Sequence, residues 1–315
     1  MNFSPEYSNS ADRKQYTIAD VHKAITDNEI MDGLVLECSG DLQLVVRIGR
    51  NITGTIKFSE LEYRIDGKDS KEVAAMSKVG KHVKFIPLYV EEDGDNYIVQ
   101  CSRKAAQKKC YDEYISKIVP GDIIDAKIVK TESYGAFCDI GCGIVALLPT
   151  KLISVTHVVD PERFLAASNK LKVVVNEIQE DGKIQLTHRE LLGTWEQEVQ
   201  KIQAGSTQIG AVLSVEDYGV FVRLTQNLSG LAQPPEGIDV KPGDLVSVHI
   251  NSIDSSKLKI RLSIMGKIEG YEEVSSFDYY MTEGRIDEWI YSDNKKKEIK
   301  NNFVEKRNSL KNKIH

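Results

Sequence analysis

Long apolar runs are missing from this chain. No stretch reaches the roughly 18 residues that a helical membrane span needs, so no membrane partner is expected. Residues 1–16 are polar and hold no signal-peptide core, which leads us to expect a cytoplasmic location. Cysteine is scarce and poorly spaced. Cys38, Cys101, Cys110, Cys138 and Cys142 are odd in number and contain no C-x-x-C pair, against a disulfide framework or a zinc ribbon. Positive charge is not in excess either: 41 Lys and Arg face 47 Asp and Glu, a net charge of −6. Any nucleic-acid contact must therefore rest on local surfaces. The phosphate-loop pattern G-x-x-x-x-G-K-[ST] is absent, and the six histidines are scattered without metal-ligand spacing. Gly141-Cys142-Gly143-Ile144-Val145-Ala146 matches a dinucleotide fingerprint, with Asp160 and Glu162 downstream, but Pro149 falls where its helix should run. It reads as a tight connection between strands. No catalytic residues, no metal and no cofactor are expected.

What the chain does contain is internal similarity. Glu132-Ser133-Tyr134-Gly135-Ala136-Phe137-Cys138-Asp139-Ile140 is echoed by Glu216-Asp217-Tyr218-Gly219-Val220-Phe221-Val222-Arg223-Leu224, 84 residues on (134 to 218). Each follows an apolar run (Ile124 to Val129; Ile209 to Val215) and precedes a Leu-containing run with a proline (Leu147-Leu148-Pro149; Leu231-Ala232-Gln233-Pro234). A Val-rich strand and a closing strand complete each unit (Val173 to Ile178 and Lys183 to Thr187; Val246 to Ile250 and Lys259 to Ser263). Five short strands separated by turn residues predict a small closed β-barrel rather than a βαβ unit. A fainter copy opens at Gly33, and there the two ring positions hold Leu42 and Val45.

Apolar residues at helical spacing over Ile18 to Ala24, Ala105 to Ile115 and Trp195 to Ile202 place a helix before each barrel, as a semi-rigid spacer. The expected organisation is a polar segment and helix at 1–28, a degenerate barrel at 29–104 and a linker helix at 105–119. A second barrel at 120–190, a linker helix at 191–206 and a third barrel at 207–266 follow. Residues 267–315 form an extension whose last stretch, Asp293 to His315, carries eight Lys/Arg against three Asp/Glu. That charge predicts a mobile basic tail.

The runs Gly121-Asp122-Ile123-Ile124, Tyr134-Gly135-Ala136-Phe137 and Lys183-Ile184-Gln185-Leu186-Thr187 resemble the RNA-binding domain named after bacterial ribosomal protein S1. So do Ile209-Gly210-Ala211-Val212, Tyr218-Gly219-Val220-Phe221 and Lys259-Ile260-Arg261-Leu262-Ser263. The resemblance is strong over residues 120–265 and weak over 30–104, and the chain is similar to the short, three-module proteins of that family. It implies a mainly β fold of three tandem five-stranded OB-fold barrels joined by short α-helices, with single-stranded RNA as ligand. It also implies a His after the third strand, an Asp before the fifth and a basic residue on the fifth. These positions fall at Gln233, Asp254 and Arg261 (or Lys259) in the third barrel, and at Pro149, Gln179 and Lys183 in the second. The His is replaced in both.

Single-stranded RNA offers base faces and a phosphate backbone, so its binder needs exposed aromatics beside cations. Tyr and Phe at i and i+3 point to opposite faces of an ideal strand, and the intervening glycine would permit a bulge that brings them together. Strand alternation from Phe221 sends Arg223 outward, and alternation on the closing strand sends Lys259 and Arg261 outward, with His249 a neighbour. Tyr218, Phe221, Arg223, His249, Asp254, Lys259 and Arg261 make the third barrel's expected site. Tyr134, Phe137 and Lys183 make the second's, with Asp139 in Arg223's place expected to repel phosphate. The expected function is non-catalytic binding of mRNA in translation, with the small ribosomal subunit as partner and a monomer favoured. The competing reading is a protein–protein adaptor or RNA-decay scaffold.

Overall fold

The computed structural model describes residues 3–6, 15–65, 67, 70–165, 170–234, 237–270, 276–292 and 299–314. The chain forms two compact units, Met1–Ile118 with Asp139–Val145, and Val119–Cys138 with Ala146–His315. The fold is mainly β, with three closed five-stranded barrels.

In the first unit α1 (Ile18–Asp27) precedes a barrel of β1 (Met31–Cys38), β2 (Leu44–Arg47), β3 (Ile52–Ile56), β4 (His82–Asp93) and β5 (Asn96–Ser102). A short α2 (Glu72–Met76) lies between β3 and β4. Neighbours run antiparallel except β3 and β5, the parallel pair that closes the barrel. Period-two alternation fills its core with Leu44, Val46, Ile52 and Ile56. The helix α1 starts on a capping box: Thr17 Oγ1 accepts the Asp20 amide and Asp20 returns a carboxylate to the Thr17 amide. It buries Val21 and Ala24 against that core.

The helix α3 (Arg103–Glu113) is not a spacer at its start. Arg103 is fully buried, donating to Glu6 Oε1 (2.6 Å), Glu6 Oε2 (2.9 Å) and the Leu61 carbonyl (2.9 Å). Asp139 is buried beside this pair. It accepts the amides of Glu6 (2.7 Å), Gly141 (2.8 Å) and Gly143 (3.1 Å). Burial, and then the Glu6 charge, push the Asp139 carboxyl up to about 6. Gly143 is needed where it stands, because a Cβ there would lie 2.0 Å from the Arg103 guanidinium. The sequence 141–143 is thus a tight turn built around buried charge, and the expectation that Asp139 repels phosphate is overturned. Its carboxylate never meets solvent.

The second unit holds β6 (Ile123–Glu132), β7 (Gly135–Gly141, in part), β8 (Ile144–Pro149), α4 (Pro161–Leu165), β9 (Lys170–Ile178) and β10 (Ile184–Thr187). After α5 (Trp195–Val199) come β11 (Thr207–Glu216), β12 (Gly219–Arg223), β13 (Ser229–Ala232), β14 (Leu245–Asp254) and β15 (Lys259–Ile268). The strand orders are β10-β8-β7-β6-β9 and β11-β12-β13-β15-β14. The third barrel's core of Val220, Val222, Ile260 and Leu262 continues through Trp195 to Val174 on β9 of the second barrel. Trp195 is buried in it, so α5 is a core element too. The neighbouring Glu198 accepts Lys201 Nζ (2.8 Å) and the hydroxyls of Thr225 and Tyr280. Asn227, fully buried, ties the barrels by accepting the Val155 amide (2.7 Å) and donating to the Gly193 carbonyl (2.7 Å).

The C-terminal extension is folded, contrary to the mobile tail expected from its charge. The strands β16 (Glu288–Ile290) and β17 (Lys300–Asn302) pair, and α6 (Phe303–Ile314) follows. Phe303 is fully buried and Arg307 donates to the Pro120 carbonyl (2.8 Å). Residues 293–298 and 315 of the predicted tail lie outside the described residues. Net charge overshadowed the buried Phe303 and Asn301 that anchor the segment.

His188 sits under this extension, fully buried, with Nδ1 3.1 Å from the Ile153 carbonyl, Nε2 3.2 Å from the Tyr279 hydroxyl and the Phe277 ring 4.7 Å away. Burial pulls its pKa down to about 4. The ring stays neutral in the fold, whereas the unfolded chain takes up a proton below about pH 6.5. Stability is therefore lost as pH falls from about 6.5 towards 4, by about 2 kcal/mol between about pH 8 and about pH 5. Urea unfolding at those two pH values should show His188→Gln losing about 2 kcal/mol less than the parent. Equal losses would remove the histidine from the acid response.

Candidate nucleic-acid interface

The hairpin between β11 and β12 explains how both rings of the Tyr-Gly-x-Phe unit reach one face. Glu216 pairs with Gly219, which leaves Asp217 and Tyr218 as the turn. Tyr218 is therefore a turn residue and Phe221 a strand residue, and strand alternation does not separate them. Their ring centroids lie 6.2 Å apart at 85°, edge to face, within the range favoured for aromatic pairs. Tyr218 is 68% exposed and Phe221 half-buried. The glycine between them serves strand approach: a Cβ on Gly219 would lie 2.5 Å from the Ala232 carbonyl of β13. The bulge in this hairpin is on the other strand, between Val212 and Ser214.

The second barrel repeats the arrangement. Ser133 and Tyr134 form the turn, and Tyr134 and Phe137 stand 6.1 Å apart at 87°. Tyr134 is 59% exposed, and a Cβ on Gly135 would lie 2.4 Å from the Leu148 carbonyl.

Register places the cations. Phe221 pairs with Leu231, Leu231 with Arg261 and Arg261 with Ser252, a row that runs across four strands on the outer face. Lys259, two residues before Arg261, shares that face. Both are exposed, and neither has an ion-pair partner among the described residues. The half-buried Leu231, beside Phe221, belongs to the same surface although its sequence context suggested only a strand. Its signal was the alternation with buried Ala232.

His249 is half-buried, one outward position from Arg261's row. It pairs with Thr207 and Ser263, and Nδ1 lies 3.1 Å from Thr207 Oγ1. Asp254 is engaged in its own turn, accepting the Ser256 hydroxyl (2.6 Å) and the Lys257 amide (3.2 Å). The Ser256 bond, with Lys257 nearby, holds its carboxyl below the usual carboxylate range.

Arg223 is a correction. It is only 8% exposed, and its guanidinium carbon lies 4.4 Å over the ring of Phe164 in α4. Alternation does send it outward from the third barrel, but the second barrel's short helix covers that side. It is a cation–π contact inside the second unit and not part of the open face.

The second barrel's face carries weaker charge. Gln185 pairs with Leu147 as Arg261 pairs with Leu231, so an amide stands at the arginine's position. Lys183, equivalent to Lys259, is exposed but ion-paired with Asp181. In the first barrel the corresponding row is Val45, Thr55, Gln100 and Tyr89, with no cation and a single exposed ring, on the fourth strand instead of at Phe221's place. Leu42 takes the turn position there with φ 64°. Among the described residues no group of three or more His, Cys, Asp and Glu is placed to hold a metal ion.

Residues 117–189 match the family model described as S1 RNA binding domain. The chain is 28% identical over 207 residues to small ribosomal subunit protein bS1 of Staphylococcus aureus, covering 61% of this chain and 53% of that one. It is 32% identical over 196 residues to the Staphylococcus epidermidis protein of the same name, covering 57% and 50%. The chain spans about half the length of these curated relatives. A solved multidomain protein with nucleic acid binding domains from Streptococcus pneumoniae is 13% identical. It covers 78% of this chain and 75% of its own, with a TM-score of 0.24, too low to bear on the fold.

Proposed function

We propose that this chain, a member of the S1 RNA-binding-domain family, holds single-stranded RNA by stacking bases on Tyr218–Phe221 and Tyr134–Phe137, with Lys259, Arg261 and Lys183 meeting phosphates. The observation that carries this reading is the solvent-exposed edge-to-face ring pair, built twice from the same hairpin. An exposed pair of this kind costs apolar surface in water, which a base would cover. On this reading RNA is bound and released unchanged. The match to the S1 RNA binding domain supports RNA as the ligand, and the similarity to small ribosomal subunit proteins supports the small ribosomal subunit as the partner, with unstructured mRNA the substrate of this reading. The first barrel, with Leu42 and Val45 where the others carry rings, acts as a docking module.

Fluorescence anisotropy with a labelled single-stranded pyrimidine RNA, titrated against salt, tests the reading. Each phosphate contact contributes a slope of about −0.7 in log affinity against log salt. Two to three cations therefore predict a slope of roughly −1.4 to −2.1 and weaker binding of the matching duplex, whose base faces are stacked away. A zero slope, or equal affinity for duplex and single strand, would refute it.

A further inference from the structure

The second barrel's face lacks the arginine of the third, and a residue from the far end of the chain stands beside the gap. Asn176 occupies the bulge in β9, where register passes from Glu177–Gln185 to Val175–Leu186. Asn251 occupies the same place in β14, between Ile250–Leu262 and Ser252–Arg261. Asn251 is exposed and donates to Ser263 Oγ (2.9 Å). Asn176 instead donates to Gln185 Oε1 (2.6 Å) and is only 6% exposed, because the C-terminal extension lies on it. Asn301 of β17 donates to its Oδ1 (3.0 Å), and Lys306 of α6 donates to the same oxygen (2.6 Å) and to Asn301 Oδ1 (2.6 Å).

The charge on Lys306 is what this arrangement leaves unexplained. Its ammonium has two neutral amide oxygens for partners, one donor left over, and no carboxylate within ion-pair distance among the described residues. Glu190 and Glu177 favour the charge only from beyond ion-pair distance, and Glu190 is itself engaged with Asn301 Nδ2 (2.9 Å), the Thr187 hydroxyl and Arg189. A tie between two asparagines needs only a neutral donor. Half-burying an ammonium here costs desolvation, and an anion arriving from solvent would offset it.

We propose that Lys306 is a second phosphate-binding cation of the second barrel, beside Lys183, supplied by the C-terminal helix and held on Asn176, whose amide binds Gln185 at the position where the third barrel carries Arg261. This rests on the single-stranded RNA reading above and extends it. The polyanion runs over the Tyr134–Phe137 pair, and its backbone meets a lysine 130 residues removed in sequence from Asn176. On this account the folded extension is part of the RNA face.

The test uses the full chain, comparing Lys306→Gln and Lys306→Arg with the parent for binding of a single-stranded pyrimidine RNA across a salt series. Loss of one phosphate contact should flatten the slope by about 0.7 and weaken binding roughly fivefold at 0.1 M salt, with the arginine variant close to the parent. Amine-reactive acylation of the parent, read by mass spectrometry at Lys306, should fall when RNA is added, and needs no variant to fold. An unchanged slope in a folded Lys306→Gln variant, or Lys306 acylation indifferent to RNA, would overturn the assignment while leaving the aromatic reading intact. A parent that binds no single-stranded RNA would overturn both.

Discussion

Replacing Tyr218 and Phe221 together by alanine is expected to weaken single-stranded RNA binding by about 2–6 kcal/mol, from about 1–3 kcal/mol per stacked base. The thermal midpoint should move little. Tyr218 stands on a turn, 68% exposed, so its truncation opens no cavity, and the pairing of β12 with β13 depends on Gly219, which is kept. Binding and stability thus separate, and calorimetric unfolding beside anisotropy titration measures both. The matching pair of changes at Tyr134 and Phe137 should cost less. Lys183 on that face is already paired with Asp181, whereas Lys259 on the third barrel has no ion-pair partner among the described residues, so phosphate holds a base less firmly against these rings. A double variant at 218 and 221 that binds as the parent does would shift the account towards the adaptor reading.

Arg103→Met is expected to destabilise the first unit by about 3–5 kcal/mol, the usual consequence of stranding a buried charge. From a fully buried position the guanidinium donates twice to Glu6 and once to the Leu61 carbonyl. Without it, the Glu6 carboxylate keeps only Lys78, at 4.0 Å, as an ion-pair partner among the described residues, with Asp139 buried close by. Two acids would then share a water-poor site with insufficient positive charge. Adding Glu6→Gln to Arg103→Met should recover part of the loss, because a neutral amide tolerates burial better than a carboxylate. Urea unfolding followed by far-UV circular dichroism reads both changes. Strict additivity of the two single losses would show that the residues do not act as a pair.

The sequence revealed the barrels where local pattern alone decides structure. Val220 and Val222, Ile260 and Leu262 alternate inward as read, because a strand's period of two needs no knowledge of its neighbours. The rings at 134, 137, 218 and 221 were legible as a repeated unit. The glycine's role was misread, since the turn at Tyr218, rather than a bulge at Gly219, brings the rings together. Arg223 shows where alternation stops. It reports the direction a side chain leaves its strand but not what waits outside, and here Phe164 waits. Asp139 failed for the complementary reason, because its partners Glu6 and Gly143 are set by tertiary approach. The C-terminal extension was judged by its net charge, while its placement depends on Phe303 and Asn301, two residues with no periodic signal. Lys306 could not be foreseen at all, since its neighbour Asn176 is 130 residues away.

The central claim is that the paired rings of the second and third barrels are the surfaces that bases touch. Ultraviolet cross-linking of the parent chain to a single-stranded pyrimidine RNA, with the attached peptides identified by mass spectrometry, tests this at residue level. The account predicts adducts at Tyr218 and Phe221, and less abundant ones at Tyr134 and Phe137. Adducts confined to the first barrel, or to segments remote from both hairpins, would contradict it.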